Sequence, residues 1–397
     1  MRWLNFKTIN FLEYYIIPFL KRFTQKKKDR FLSDIGIEKN GKNAKRALVI
    51  HLETAIPYYV AGRVNDCSIM HNHALIWQVY ELVHLLVENG YVIDFRSSYK
   101  KNLKVDWSKY DLIIDEANNL MNAPENKNQI KVFYSTGLAY NFHNNAELYR
   151  VNAFYERTGI LTNPHRYLEP LFSDHFADYI LYKGNDEWMK LYSDKPKRHP
   201  INTSVTHESD ITINEGACDF VWIGSIGAIH KGLDLVVEAF KQLPQYKLHI
   251  FGNISGEIKF FPWLQNQMKQ YPNIRYHGYA DFTTQYFEGV IKTCVGHVFP
   301  SCSENGATTV AQTSFWGLIP ITTPTTNSRS QHLGYVINSA IDREIISGIV
   351  EHVKQINQLP QSEIRAKQQT LIQFSKEHHT KKACSDSMRD FILKIKK

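Results

Sequence analysis

Phe220-Val221-Trp222-Ile223, followed at once by Gly224-Ser225-Ile226-Gly227-Ala228-Ile229-His230-Lys231-Gly232, decides how this chain is read. Four consecutive apolar residues predict a strand buried on both faces. The small residues behind them close it in a tight loop. Leu233, Val236, Val237 and Phe240 then recur at helical spacing. The same grammar returns farther on. Val298-Phe299 is a strand, and Pro300-Ser301-Cys302-Ser303-Glu304-Asn305-Gly306-Ala307-Thr308-Thr309 is a turn. The helix after it carries Gln312 and runs to Gly317, ahead of the strand Leu318-Ile319-Pro320-Ile321-Thr322. Free N–H groups and the positive end of a helix make each turn a place for an anion. Lys231 adds a mobile positive charge. A diphosphate held between the two turns is the economical expectation.

Outward from this stretch the pattern repeats. Residues 47–52, 91–95, 111–115, 131–134 and 178–182 read as strands. Leu75, Val79, Leu82 and Leu86 mark one face of a helix that stops at Gly90. Strands alternating with helices imply parallel, doubly wound α/β sheets, which take ligands at the carboxyl ends of their strands. A chain of 397 residues exceeds one ordinary core, so two domains are expected. Five scattered cysteines with no C-x-x-C pair fit a reducing compartment and argue against a disulfide framework or a zinc site.

The formal charge of +8 is unevenly placed. Residues 1–46 hold 12 Lys/Arg against 4 Asp/Glu, and the other 351 residues are balanced at 35 of each. The body therefore lacks the electrostatic footprint of a nucleic-acid binder. The apolar, aromatic run from Trp3 to Leu20 is too short to span a bilayer and precedes Lys21, Arg22, Lys26, Lys27, Lys28 and Arg30. Such a segment suits a membrane interface, so contact through residues 1–30 is expected on the cytoplasmic face.

Three motifs carry a family resemblance: Gly224-Ser225…Lys231-Gly232, Leu248-His249-Ile250-Phe251-Gly252, and Pro300-Ser301-Cys302-Ser303-Glu304. In this order and spacing they resemble the retaining glycosyltransferases of GT-B architecture, the large group four of nucleotide-sugar-dependent transferases (glycosyl transferases group 1). The resemblance covers about a hundred residues by motif and the first half by architecture alone. It implies two Rossmann-like domains facing a cleft, with the last helix crossing back to the first domain. The expected division is a basic N-terminal segment over 1–44, an acceptor domain over 45–192, a linker over 193–218, a donor domain over 219–375, and the returning helix over 376–397.

The resemblance also implies roles. Lys231 and the N–H groups of Gly306, Ala307, Thr308 and Thr309 stabilise the leaving diphosphate, alongside Gly224, Ser225 and Asn305. Glu304 contacts the donor sugar at the reacting face. Two positions depart from the pattern. Ser225 stands where relatives have an arginine, and Arg63, in a loop of the other domain, is the candidate to compensate. Gln312 stands where relatives have a ribose-binding glutamate; an amide keeps one acceptor and adds a donor. A first-domain histidine that contacts the donor sugar matches His143, with His51 as the alternative. Arg150, Arg157 and Arg166 form an acceptor-side or structural cluster, left open here. The chain contains no Asp-x-Asp pair for a cation on the diphosphate. The expected function is transfer of a sugar from a nucleoside-diphosphate sugar, as co-substrate and with no other cofactor or metal, to a glycan or lipid-linked acceptor in cell-surface polysaccharide synthesis. A nucleotide-sugar epimerase or a non-catalytic binding scaffold on the same fold are the alternatives.

Overall fold

The computed structural model describes residues 31–67, 70, 73–99 and 104–396. The basic aromatic segment expected to touch a membrane, residues 1–30, lies outside the described residues. No helix among the described residues is long and apolar enough to cross a membrane.

The first sheet holds β1 (Leu32–Ile35), β2 (Lys45–His51), β3 (Tyr91–Ser97), β4 (Leu112–Asp115), β5 (Ile130–Tyr134), β6 (Tyr179–Tyr182) and β7 (Lys197–Pro200). Their order is β1-β3-β2-β4-β5-β6-β7, parallel throughout except that β1 runs against β3. The second sheet is parallel: β8 (Asp219–Ile223), β9 (Leu248–Phe251), β10 (Ile274–Tyr276), β11 (Cys294–Phe299), β12 (Ile319–Thr322) and β13 (Tyr335–Val336), in the order β10-β9-β8-β11-β12-β13. The inner strands are buried along their whole length because helices cover both faces.

The edge strands extend the first domain beyond the expected limits. β1 lies within the segment expected to precede the domain, and β7 within the expected linker. Both are largely exposed and lack an apolar run, so hydropathy does not mark them. Pro200 is tolerated because an edge strand has no partner waiting for its missing N–H.

Two helices tie the domains together in opposite directions. The named helices, in chain order, are α1 (Ala74–Glu88), α2 (Tyr140–Thr158), α3 (Leu233–Phe240), α4 (Thr308–Phe315), α5 (Asp342–Gln358), α6 (Gln361–His378) and α7 (Lys381–Lys396). α2 leaves the first sheet after β5 but buries Val151 and Phe154 in the core of the second domain, with the Phe154 ring 5.2 Å from that of Trp263. α7 returns as expected: Cys384, Met388, Phe391 and Ile392 join the first core beside residues of α1.

In each sheet the strand order reverses beside the first strand of the unit. In the second, that point lies between β8 and β11, the two strands whose loops the sequence singles out. Crevices at such switch points are where open α/β sheets bind ligands. Close approach is built in by glycine. A Cβ on Gly296 of β11 would stand 2.7 Å from the Phe220 ring, and one on Gly232 would stand 2.5 Å from Pro300 O.

Candidate functional site

The loop after β8 is held from within. Gly224 N–H donates to Phe251 O, and the N–H groups of Gly227 and Ala228 both donate to Glu257 Oε1, at 2.8 and 2.9 Å. A buried carboxylate of the protein thus occupies part of the anion position expected for a ligand here. Glu257 lies in the segment after β9 and was not singled out in the sequence, because a lone glutamate there carries no motif. Ser225 stands exposed at the loop tip.

Lys231 emerges from this loop with its side chain 8% exposed and places Nζ 3.0 Å from Glu304 Oε1. Ser301 Oγ donates to the same carboxylate oxygen at 3.2 Å. Burial acts to raise the Glu304 pKa, but Lys231, then His230 and Arg166, outweigh it and hold the carboxyl at about 2. Cys302 N–H donates to His230 O at 3.0 Å, so the two switch-point loops are stitched directly to one another.

In the second loop the available donors are narrower than the sequence suggests. Glu304 N–H is taken by Thr325 O and Gly306 N–H by Asn327 O. The opening N–H groups of α4, from Ala307 to Thr309, make no hydrogen bond to a described residue, and no side chain caps the helix. These remain as the open donors of the loop. Asn305 reaches across the seam, its Nδ2 donating to Ser135 O at 3.1 Å and to Ser135 Oγ at 3.0 Å. Beneath Gly306 lies Lys183 of the first domain. It is buried and donates to Gln78 Oε1 at 3.2 Å, and desolvation pushes its amine down to about 8.

His143 lies in the first turn of α2 and is brought to the same seam. Its Nδ1 is 2.9 Å from Ser303 Oγ and its Nε2 is 2.8 Å from Arg166 O. A carbonyl only accepts, so Nε2 carries the proton and Nδ1 accepts from the serine. The ring of His230 stands 4.7 Å from that of His143 and donates from Nε2 to Ser303 O at 2.8 Å. Its Nδ1 faces Cys302 Sγ at 3.4 Å and Glu147 Oε2 at 3.3 Å. Burial opposes its charge, but Cys302 and Glu147 outweigh that and lift the imidazolium to about 9. His143, Glu147 and His230 place ligand-type atoms within 4.8 Å of one another. The Nε2 proton of His143 points at Arg166 O and His230 Nδ1 at Cys302, while Glu147 Oε2 has no hydrogen-bond partner among the described residues.

Other expected residues go elsewhere. Arg63 pairs with Asp66 in its own loop at 2.7 Å with its side chain 69% exposed, and none of its hydrogen bonds or ion pairs reaches the switch-point loops. Gln312 is 1% exposed and turned to the interdomain segment. Its Oε1 accepts from Thr206 N, Thr206 Oγ1 and His207 N, and its Nε2 donates to His207 O at 2.7 Å. With both ends of the amide engaged, it has no acceptor left for a ribose. His51 is fully buried, 3.1 Å from Glu116, and burial lowers its pKa to about 3. Arg157 joins α2 to the second domain through Asp234 at 2.6 Å and Asp342 at 2.8 Å, and Arg150 adds a bond to Pro300 O.

A cavity of about 1060 Å3 opens at the carboxyl ends of the first sheet, bounded by Ser135, Tyr140, His143, Arg166, Phe172 and Tyr192 among others. Aromatic faces mixed with polar groups are apt for polyhydroxylated ligands. His143 and Arg166 border both this cavity and the two switch-point loops.

No family model matches the chain, and no curated protein matches it. Solved structures do. WaaG, a glycosyltransferase involved in lipopolysaccharide biosynthesis, is 12% identical over 87% of this chain and 99% of its own, with a TM-score of 0.52. Anabaena HepE, solved with UDP and glucose, is 10% identical over 89% and 99%, with a TM-score of 0.53. The chain spans only 56% of the pneumococcal O-GlcNAc transferase GtfA, solved with UDP and GlcNAc; that match covers 72% of this chain at 14% identity and a TM-score of 0.48. At these identities the likeness establishes the fold alone.

Proposed function

We propose that this chain, which has the GT-B fold of glycosyltransferases, transfers a sugar from a nucleoside-diphosphate sugar to a glycan or lipid-linked acceptor with retention of configuration. The observation that carries the reading is the Lys231–Glu304 pair at the switch point, flanked by the open N-terminus of α4 and faced by His143 from the other domain. Departure of the diphosphate builds negative charge, and preorganised donors answer it: Lys231 as the mobile cation, and Ala307, Thr308 and Thr309 N–H as fixed ones. Glu304, anionic at any working pH, orients Lys231 and accepts from donor-sugar hydroxyls. His143, with both ring nitrogens engaged by Ser303 Oγ and Arg166 O, positions the second loop and Arg166 around the sugar. The leaving diphosphate collects the acceptor proton on the same face, so the protein contributes position and field. Lys231 and the helix end serve here in place of a divalent cation.

The acceptor enters through the large cavity of the first domain. The basic head, the similarity in fold to WaaG and the polar-aromatic lining together favour a cell-surface glycan assembled on the cytoplasmic face of a membrane. A screen of UDP-, GDP- and ADP-sugars, read as free nucleotide released with and without glycan acceptors, tests the proposal. Release from none of them, with the protein folded, rejects it. Gln312 favours a second reading, a nucleotide-sugar-binding subunit without turnover, because its family role is closed off. Acceptor-dependent release eliminates that reading.

A further inference from the structure

We infer that the Arg166 guanidinium, presented by the first domain, is a second anion contact of this cleft and takes a phosphoryl oxygen of the donor diphosphate. The inference rests on the proposed function and identifies a residue that the family pattern does not supply.

Arg166 is pinned by its main chain on both sides. Its N–H donates to Glu147 Oε1 at 2.7 Å and its carbonyl accepts from His143 Nε2 at 2.8 Å. Two residues on, Asn144 holds Leu168 through both N–H and C=O, each at 2.8 Å. The backbone that carries the guanidinium is therefore fixed to α2. The side chain lies over the loop after β8, where a Cβ on Gly227 would stand 2.5 Å from Arg166 Cγ and 3.0 Å from Cδ. Gly227 has φ +92°, so glycine there serves both the turn and the approach of the arginine. The guanidinium itself makes no hydrogen bond or ion pair with any described residue, and it borders the large cavity.

Charge bookkeeping at the seam points the same way. Lys231 is matched by Glu304 and His230 by Glu147. The buried Glu257 carboxylate is held by the N–H groups of Gly227 and Ala228, and the Arg166 guanidinium acts on Glu304 through its field without bonding it, beside the loop whose expected arginine is Ser225. Guanidinium suits phosphoryl oxygens because its fork donates two parallel hydrogen bonds. An arginine from one domain on a diphosphate held by the other also makes the ligand a bridge across the cleft. The same chemistry would serve an anionic group on the acceptor, since the cavity reaches the same side chain; the test separates the two sources.

The experiment is calorimetric titration of UDP, GDP and ADP, and of their nucleosides, into wild type, Arg166→Ala, and Arg166→Ala combined with Ser225→Arg. Thermal melting confirms folding, which main-chain pinning should preserve. The expected result for the nucleotide that wild type binds best is a loss of about ten- to a hundredfold in Arg166→Ala, the scale of a charged hydrogen bond. Nucleoside affinity stays unchanged, and the added arginine at 225 recovers most of the loss. Equal affinity of wild type and Arg166→Ala for the diphosphate overturns the inference and leaves the proposed function standing. A raised acceptor KM with unchanged nucleotide affinity overturns the donor assignment. Absence of any nucleoside-diphosphate binding by wild type overturns the proposed function and this inference with it.

Discussion

Lys231 Nζ stands 3.0 Å from Glu304 Oε1 across a sequence separation of 73 residues. The contact joins the loops of two strands that are neighbours at the switch point of the second sheet. Each side chain explains the other: the carboxylate is held at about 2 by the ammonium, and the nearly buried ammonium needs a counter-charge until a ligand brings one.

Lys231→Ala is expected to lower nucleotide release from the best donor by about a hundredfold or more, the usual scale for one oxyanion-stabilising group. Lys231→Arg should retain part of the rate, since it keeps the charge but not the shape. Steady-state kinetics on folded variants measures both. Undiminished turnover in Lys231→Ala would place the leaving-group contact elsewhere.

Replacing Gln312 by glutamate, the residue of the resembled motif, is not expected to create a ribose contact. Thr206 N and His207 N can still donate to a carboxylate, whereas the bond from Gln312 Nε2 to His207 O becomes a repulsion between two oxygens. Gln312→Glu should destabilise by about 1–3 kcal/mol and leave nucleotide affinity no better. Urea unfolding and calorimetry read the two halves, and a stable variant with tighter nucleotide binding would refute the assignment to the linker.

Arg157→Met should be costly despite conserving an apolar stem. It strands Asp234, which is fully buried with its carboxyl pushed up to about 7 mainly by desolvation, and leaves Asp342 with Arg150 alone, at 3.8 Å. Removal of one partner from a buried pair costs about 3–5 kcal/mol, and Arg157 is partly exposed, so the lower end is expected. Adding Asp234→Asn to Arg157→Met should return part of that in a double-mutant cycle.

The contacts of His230 with Cys302 and Glu147 give a pH signature. The folded imidazolium titrates at about 9 against an ordinary value of 6.5. A raised value means that the stabilisation is complete below the unfolded pKa and fades as pH rises through the folded one. Relative to His230→Gln, wild type should lose its advantage in melting temperature between about pH 6.5 and 9. Comparison with the variant isolates this group, because Lys183, lowered to about 8, titrates with the opposite sign. Parallel melting curves across that window would remove the charge from His230.

Read without coordinates, the chain already determined its two parallel sheets, the returning α7 and the two loops that meet at the switch point. The sheets and loops follow from local patterns: uninterrupted apolar strands, helical periodicity, and small residues where a strand must turn into a helix; the return of α7 was implied by the family resemblance, not by its periodicity. Lys231 was legible as a positive charge beside the first loop, and Glu304 through the motif that carries the family resemblance. The tertiary structure alone decided what the motif residues are left free to do. Gln312 is engaged by the segment at Thr206 and His207, Glu257 fills part of the first loop, and Arg63 stays with Asp66 in its own loop. Arg166 could not be told from a surface arginine until α2 was seen to cross into the second domain. A hydrogen bond between residues far apart in the chain leaves no periodic trace, because its partners are chosen by packing and by the need to satisfy every buried polar group.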